Sequence, residues 1–216
     1  KALFYIVQGE NAEIKNLKVT GTAEGAGIAY NLTNKAKISN CKSEVNITTK
    51  GDNYPTPGGI VSNLNNGSRI ENCENYGTII CDRENTGGGI VGDMASSDEN
   101  DCREYPVIAN CTNYGDVIIN DVTYVVKMGG ICGDFSFGTI FNCANKGKVT
   151  VTATETTYSV ILGGIVGFCW GRKMDGIINC YNIGEIRSNI SNSTKQNIGG
   201  IVGSKDDYSG AEQVPK

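Results

Sequence analysis

Gly164-Ile165-Val166-Gly167 decides how the rest of this chain is read, because the chain repeats it. Gly59-Ile60-Val61, Gly89-Ile90-Val91-Gly92, Gly130-Ile131-Cys132-Gly133 and Gly200-Ile201-Val202-Gly203 are the same phrase, and Gly27-Ile28-Ala29 is a worn first copy. A second phrase is interleaved with it: Ile38-Ser39-Asn40-Cys41, Ile70-Glu71-Asn72-Cys73, Ile108-Ala109-Asn110-Cys111, Ile140-Phe141-Asn142-Cys143 and Ile177-Ile178-Asn179-Cys180. Two phrases alternating at steps of 30 to 41 residues are the signature of a solenoid. One unit is too small to bury its own inner face, so the units stack and share one interior.

A third strand follows each Asn-Cys. Asn75-Tyr76-Gly77, Asn113-Tyr114-Gly115, Asn145-Lys146-Gly147 and Asn182-Ile183-Gly184 are turn chemistry, since Asn and Gly tolerate positive φ. β-Branched runs such as Val117-Ile118-Ile119 and Val149-Thr150-Val151 come next and read as strand. The expectation is a single all-β domain over 1–216, a right-handed parallel β-helix of about six coils with three short strands per coil. Right-handedness follows from the strong bias of parallel crossovers, and the coils stack ~4.8 Å apart. The variable spacing between phrases is assigned to loops.

Within the second phrase the residue between Ile and Asn varies, so that position faces out while Ile and Asn face in. Asn40, Asn72, Asn110, Asn142 and Asn179 are then expected to form a buried amide ladder. A bend at the Asn turns Cys41, Cys73, Cys111, Cys143 and Cys180 inward as a column of small apolar thiols. Side-by-side parallel positions rarely give the dihedral a disulfide needs, so these thiols are read as reduced, and Cys81, Cys102 and Cys169 lie off the repeat. The adjacent Ile and Val of the first phrase leave two alternatives. Either Val61, Val91, Val166 and Val202 form an outward stripe that another element covers, or the glycines bend the strand.

Composition narrows the function. The chain has 216 residues, a net charge of -4 and no histidine. Absence of His removes Ser-His-Asp and Cys-His catalysis and His-ligated zinc. The charge balance lacks the basic stripe of a nucleic-acid binder, and no apolar run is long enough for a membrane-spanning helix. Lys1 to Val7 reads as the middle of a repeat, so the chain is expected to be a fragment of a longer protein. Neither Ala2-Leu3-Phe4-Tyr5 nor the stretch Ala211 to Lys216 resembles a polar end cap. An end-to-end contact with a neighbouring domain or another copy is therefore expected.

Four groups are candidates for chemistry. Asp116 and Glu185 flank Lys148 in successive coils, which puts the carboxylates about 9–10 Å apart; that is the upper edge for inverting glycosidases, and the alternative is a column of exposed ion pairs. Asp98, Glu99 and Asp101 form an oxygen-rich loop, either a Ca²⁺ site or a solvated acidic turn without the regular spacing of a calcium loop. Trp170 beside Arg172 suits a sugar or protein surface, or else caps the edge of the column. Tyr76 and Tyr114 share one position in adjacent coils and either present rings to a glycan or pack on each other.

Taken together, the phrases resemble the GLUG-type repeats of bacterial cell-surface proteins, in which Gly-Gly-Ile-Val-Gly alternates with Ile-x-Asn-Cys-x-Asn-x-Gly. The resemblance runs from Ile14-Lys15-Asn16-Leu17 to Gly203. Such repeats occur in adhesin-like proteins and beside the catalytic region of immunoglobulin-A-cleaving zinc metalloproteases. The resemblance implies a β-helix outside a bacterial cell, without catalysis or cofactor in the repeats; the protease's His-Glu-x-x-His is missing here. The expected function is a non-catalytic surface module for adhesion or display, binding glycan or host protein. A structural spacer is the first alternative and a polysaccharide-cleaving enzyme the second.

Overall fold

The computed structural model describes residues 1–49, 56–82, 86–95, 104–122, 124–156, 158–170, 174–191 and 195–206, with backbone alone at 174 and 175. The described strands make parallel sheets, and among the described residues there is no helix. The chain winds through four walls as a β-solenoid. Wall A has seven strands, from Phe4–Gln8 through Val61–Leu64, Val91–Met94 and Cys132–Phe135 to Val202–Lys205. Wall B has six, among them Lys37–Ser39, Arg69–Glu71 and Val107–Ala109. Wall C starts with the continuous strands Lys18–Ala23 and Lys42–Thr49. In later coils it is split in two, as in Glu74–Asn75 followed by Ile79–Asp82. Wall D has four strands, Thr86–Gly88, Val126–Gly129, Val160–Gly163 and Gln196–Gly199.

Six circuits therefore run A, B, C, and the last four also carry wall D. The count of three strands per coil is corrected on this point. The stretch before each Gly-Gly-Ile looks like loop in sequence, since Lys127, Gln196 and several glycines interrupt its apolar pattern. It becomes strand because the coil above and the coil below supply its hydrogen-bond partners, as in Lys127 with Ile161 and Met128 with Leu162.

Register is set by the phrases themselves. Val61, Val91, Cys132, Val166 and Val202 lie over one another on wall A, and Ile38, Ile70, Ile108, Ile140 and Ile177 do so on wall B. The Ile-Val question is settled in favour of a bend. Ile60 and Val61 are both fully buried, and both of their N–H groups donate to the Ile90 carbonyl, at 3.0 and 3.1 Å. Two successive donors on one acceptor mean that the chain turns at Ile60, so an extended alternation of faces no longer applies. Gly58-Gly59 makes room for that turn: a Cβ on Gly58 would stand 1.9 Å from the Val61 carbonyl oxygen.

The interior has two apolar cores. The first is enclosed by walls A and B and the start of C, with Ile28, Ile60, Leu64, Ile70, Cys73 and Phe135. The second lies between the rest of C and D, with Ile79, Val117, Ile119, Met128, Val149 and Leu162. Both end coils leave apolar side chains in solvent: Tyr5 is 72% exposed at one end and Ile183 is 70% exposed at the other.

Candidate functional site

The corner between walls B and C is built by the second phrase. Asn40, Asn72, Asn110, Asn142 and Asn179 have φ between 51° and 54°, the left-handed region that Asn visits more readily than other non-glycine residues. That single residue rotates the chain so that Ile70 and Cys73, three apart, both enter the first core. The thiol column is present as expected. Cys73, Cys111 and Cys143 are wholly buried, and Cys180 in the end coil is partly so. No disulfide links the described cysteines, and burial pushes the Cys111 thiol well above its ordinary range. Cys81 and Cys169 fall in separate cores, and Cys102 lies outside the described residues.

The amide ladder is corrected. The asparagines of the Ile-x-Asn-Cys phrase point outward and are exposed, because a left-handed residue at the corner directs its own side chain away from the core it lets its neighbours enter. Of these, Asn142 and Asn110 share an amide hydrogen bond at 3.1 Å. The buried ladder uses the other asparagine, that of Asn-x-Gly. Asn75 donates to Asn113 at 2.9 Å, Asn113 to Asn145 at 2.9 Å and Asn145 to Asn182 at 2.7 Å. Each amide also closes on its own turn: Asn113 Nδ2 donates to the Gly115 carbonyl and Asn113 Oδ1 accepts from the Gly115 N–H. Asn75, Asn113 and Asn145 have no exposed surface. The second glycine of Gly-Gly-Ile packs on each of them, and a Cβ on Gly89 would lie 2.3 Å from Asn113 Cγ. The two sequence phrases thus meet face to face where the cores join. One is Gly-Gly-Ile and the other Asn-x-Gly, both recur with one period, and that shared period is the signal that pairs them.

Outside this corner, Tyr76 and Tyr114 stack with ring centroids 4.4 Å apart and planes at 10°. Coils on either side cap the pair with cations: Lys42 Nζ lies 3.8 Å from the Tyr76 centroid and Lys146 Nζ 4.9 Å from that of Tyr114. The Tyr76 hydroxyl donates to Glu74 at 3.1 Å. Partial burial and this carboxylate hold the phenol up at about 12. The rings therefore present edges to solvent, and their faces are taken by each other and by lysines. Next to them a groove of 360 Å³ runs along the corner, lined by Asn40, Asn72 and Asn110 and, one column over, by Lys42, Glu74 and Thr112, with Cys41.

Trp170 sits elsewhere, at the end of wall A. Its indole meets Phe168 edge to face at 5.1 Å, and Lys127 of wall D reaches over both rings, 4.6 Å from Phe168 and 4.8 Å from Trp170. Lys127 also bonds Asp134 at 2.6 Å, with both side chains largely buried. In register with Asp134 on the neighbouring strand is Asp93, which has no hydrogen-bond or ion-pair partner among the described residues. Burial, then the charge of Asp134, raises the Asp93 carboxyl to about 7, and burial raises Asp134 too. The sequence does contain a signal for this cluster. Asn31, Asn63, Asp93 and Asp134 occupy one position of the repeat, three residues after the isoleucine of the Gly-Ile pair.

Trp170 and the tyrosines stand on different walls and do not form one site. Arg172, Asp98, Glu99 and Asp101 lie outside the described residues. Among the described residues no group of three or more His, Cys, Asp or Glu side chains is placed to hold a metal. The Asp116, Lys148 and Glu185 column is engaged with itself: the Lys148 N–H donates to Asp116 at 2.8 Å and its ammonium lies 3.7 Å from Glu185. No helix is long and apolar enough to cross a membrane among the described residues. No protein-family model, no curated protein and no solved structure matches the chain.

Proposed function

We propose that the chain is a non-catalytic repeat module of the bacterial cell surface, of the GLUG type, that displays a binding face for glycan or host protein. The observation that supports this most is the outward repetition of polar side chains. Asn40, Asn72 and Asn110 recur coil by coil beside Lys42, Glu74 and Thr112 along an open groove. Stacked coils hold such columns ~4.8 Å apart on a backbone that cannot rearrange singly, which is how a rigid scaffold presents loops and surface groups for recognition. The test is saturable binding of the purified chain to an immobilised glycan and mucin panel and to host surface proteins. A flat response across all of them removes this reading.

A spacer role is the second reading, favoured by the apolar end coils. Leu3, Tyr5 and Ile6 at one end and Ile183 and Ile198 at the other invite coil-on-coil contact with a neighbouring domain or another copy. Concentration-dependent association in sedimentation, with no saturable ligand, selects it.

A further inference from the structure

We infer that the groove at the wall B–C corner is a site for an extended, neutral, hydroxyl-rich glycan lying along the solenoid axis, with the amides of Asn40 and Asn72 as its principal contacts. This rests on the binding-module reading above and locates it. The argument begins with why asparagine is there. The corner needs positive φ, and glycine provides that at lower steric cost; the chain has 29 glycines yet places Asn at the corner every time, from Asn16 to Asn179. Asparagine meets that need as well, and in doing so leaves its amide available for a second use. At Asn142 and Asn110 the amides bond each other. At Asn40 and Asn72 they bond no group among the described residues, and both line the groove.

The groove's chemistry then selects a class. Each side-chain amide offers a donor pair and an acceptor, which matches adjacent hydroxyls acting as acceptor and donor at once. Three such amides in successive coils span ~9–10 Å, room for a chain rather than for a single small ion. The Lys42 ammonium is held over Tyr76, and Glu74 accepts from the Tyr76 hydroxyl. The one cation and one anion balance, so the floor neither attracts nor repels a net charge. With a net charge of -4, the chain as a whole disfavours polyanionic glycans. Stacking is not the mode of capture, since the tyrosine faces are covered by lysines. Tyr76 instead holds two of the groove's polar groups, Lys42 over its face and Glu74 on its hydroxyl.

The experiment uses the full chain and a panel of neutral, sialylated and sulfated oligosaccharides, read by titration and by the side-chain amide resonances of asparagine. The informative variant is Asn40→Gly with Asn72→Gly, because glycine keeps the left-handed corner and removes only the amides. The expected result is saturable binding of a neutral glycan, little changed by salt, with shifts at the Asn40 and Asn72 side-chain NH₂ signals. Affinity falls at least tenfold in the double variant, while Trp170→Ala binds as the parent does. If the parent binds a glycan and the double variant binds it equally, the site assignment falls and the binding module survives. If the parent binds only charged glycans or a protein ligand, the ligand class falls and the module again survives. If it binds nothing, both fall.

Discussion

Two columns of asparagine run through this molecule three residues apart in sequence, Asn72 in one and Asn75 in the other, and they are used in opposite ways. The Asn75 column faces inward, and Asn113 within it makes four hydrogen bonds, two to its own turn and one to the coil on each side. The Asn72 column is exposed and serves the backbone, with φ near 54°. A third column sharpens the contrast. On wall A, Asn63 donates to Asn31 at 3.1 Å, and the next rungs at that position are the carboxylates Asp93 and Asp134. An amide stacks on its own kind because it carries both donor and acceptor, whereas ionised carboxylates carry acceptors only. The same register therefore stabilises one stack and charges another against itself.

The severest test of the buried column is its glycine lid. Gly89→Ala would place a methyl 2.1 Å from the Gly130 carbonyl oxygen and 2.3 Å from Asn113 Cγ. Neither backbone nor a four-bonded amide can give way, so a loss of more than about 4 kcal/mol is expected. Loss of the cooperative transition in circular dichroism is the readout, and a variant melting within a few degrees of the parent breaks the account. Next comes Asn113 itself. Asn113→Ala strands partners on Asn75, Asn145 and the Gly115 turn, at roughly 3 kcal/mol or more. Asn113→Gly should cost at least as much, because the amide and not φ is what this position supplies. Urea titrations decide it.

The carboxylate stack gives an intermediate, pH-dependent effect. Asp93 is raised from 3.8 to about 7 in the fold, so the neutral form is the one the fold prefers. That stability is complete below the unfolded value near 4 and is lost as pH rises through 7. The chain should be less stable at pH 8.5 than at pH 5.5 by roughly 1–3 kcal/mol after allowing for solvent screening. Asp93→Asn, which restores a donor at this rung, should flatten the curve. A parent whose stability is level from pH 5.5 to 8.5 refutes the assignment. The smallest effect belongs to the exposed column: Asn72→Ala should cost about 1 kcal/mol for a Cβ in the left-handed region, and Asn72→Gly should stay within about 0.5 kcal/mol. Were Asn72→Gly to match Asn113→Gly, the distinction between the columns would vanish.

Much of the architecture was legible without coordinates. Ile70, Ile108 and Ile140 stack as their phrase demands, and the thiols of Cys73, Cys111 and Cys143 line the first core, because burial of a repeated apolar residue follows from the repeat alone. Wall D was not legible, since its strands derive their pairing from other coils and only Val126-Lys127-Met128 alternates apolar with polar. Nor were the partners of Trp170: Lys127 comes from a different wall, and no local pattern joins residues 43 positions apart.

The register and the identity of the repeating corner residues follow from periodicity, since periodicity is a property of the chain and stacking is its only stable outcome. Which asparagine goes inside does not follow from it. Both asparagines are polar and both sit at turns, so composition treats them alike. What separates them is the sign of φ at one and the glycine of a distant phrase resting on the other. Those are facts of how the walls close, and closure exists only in three dimensions.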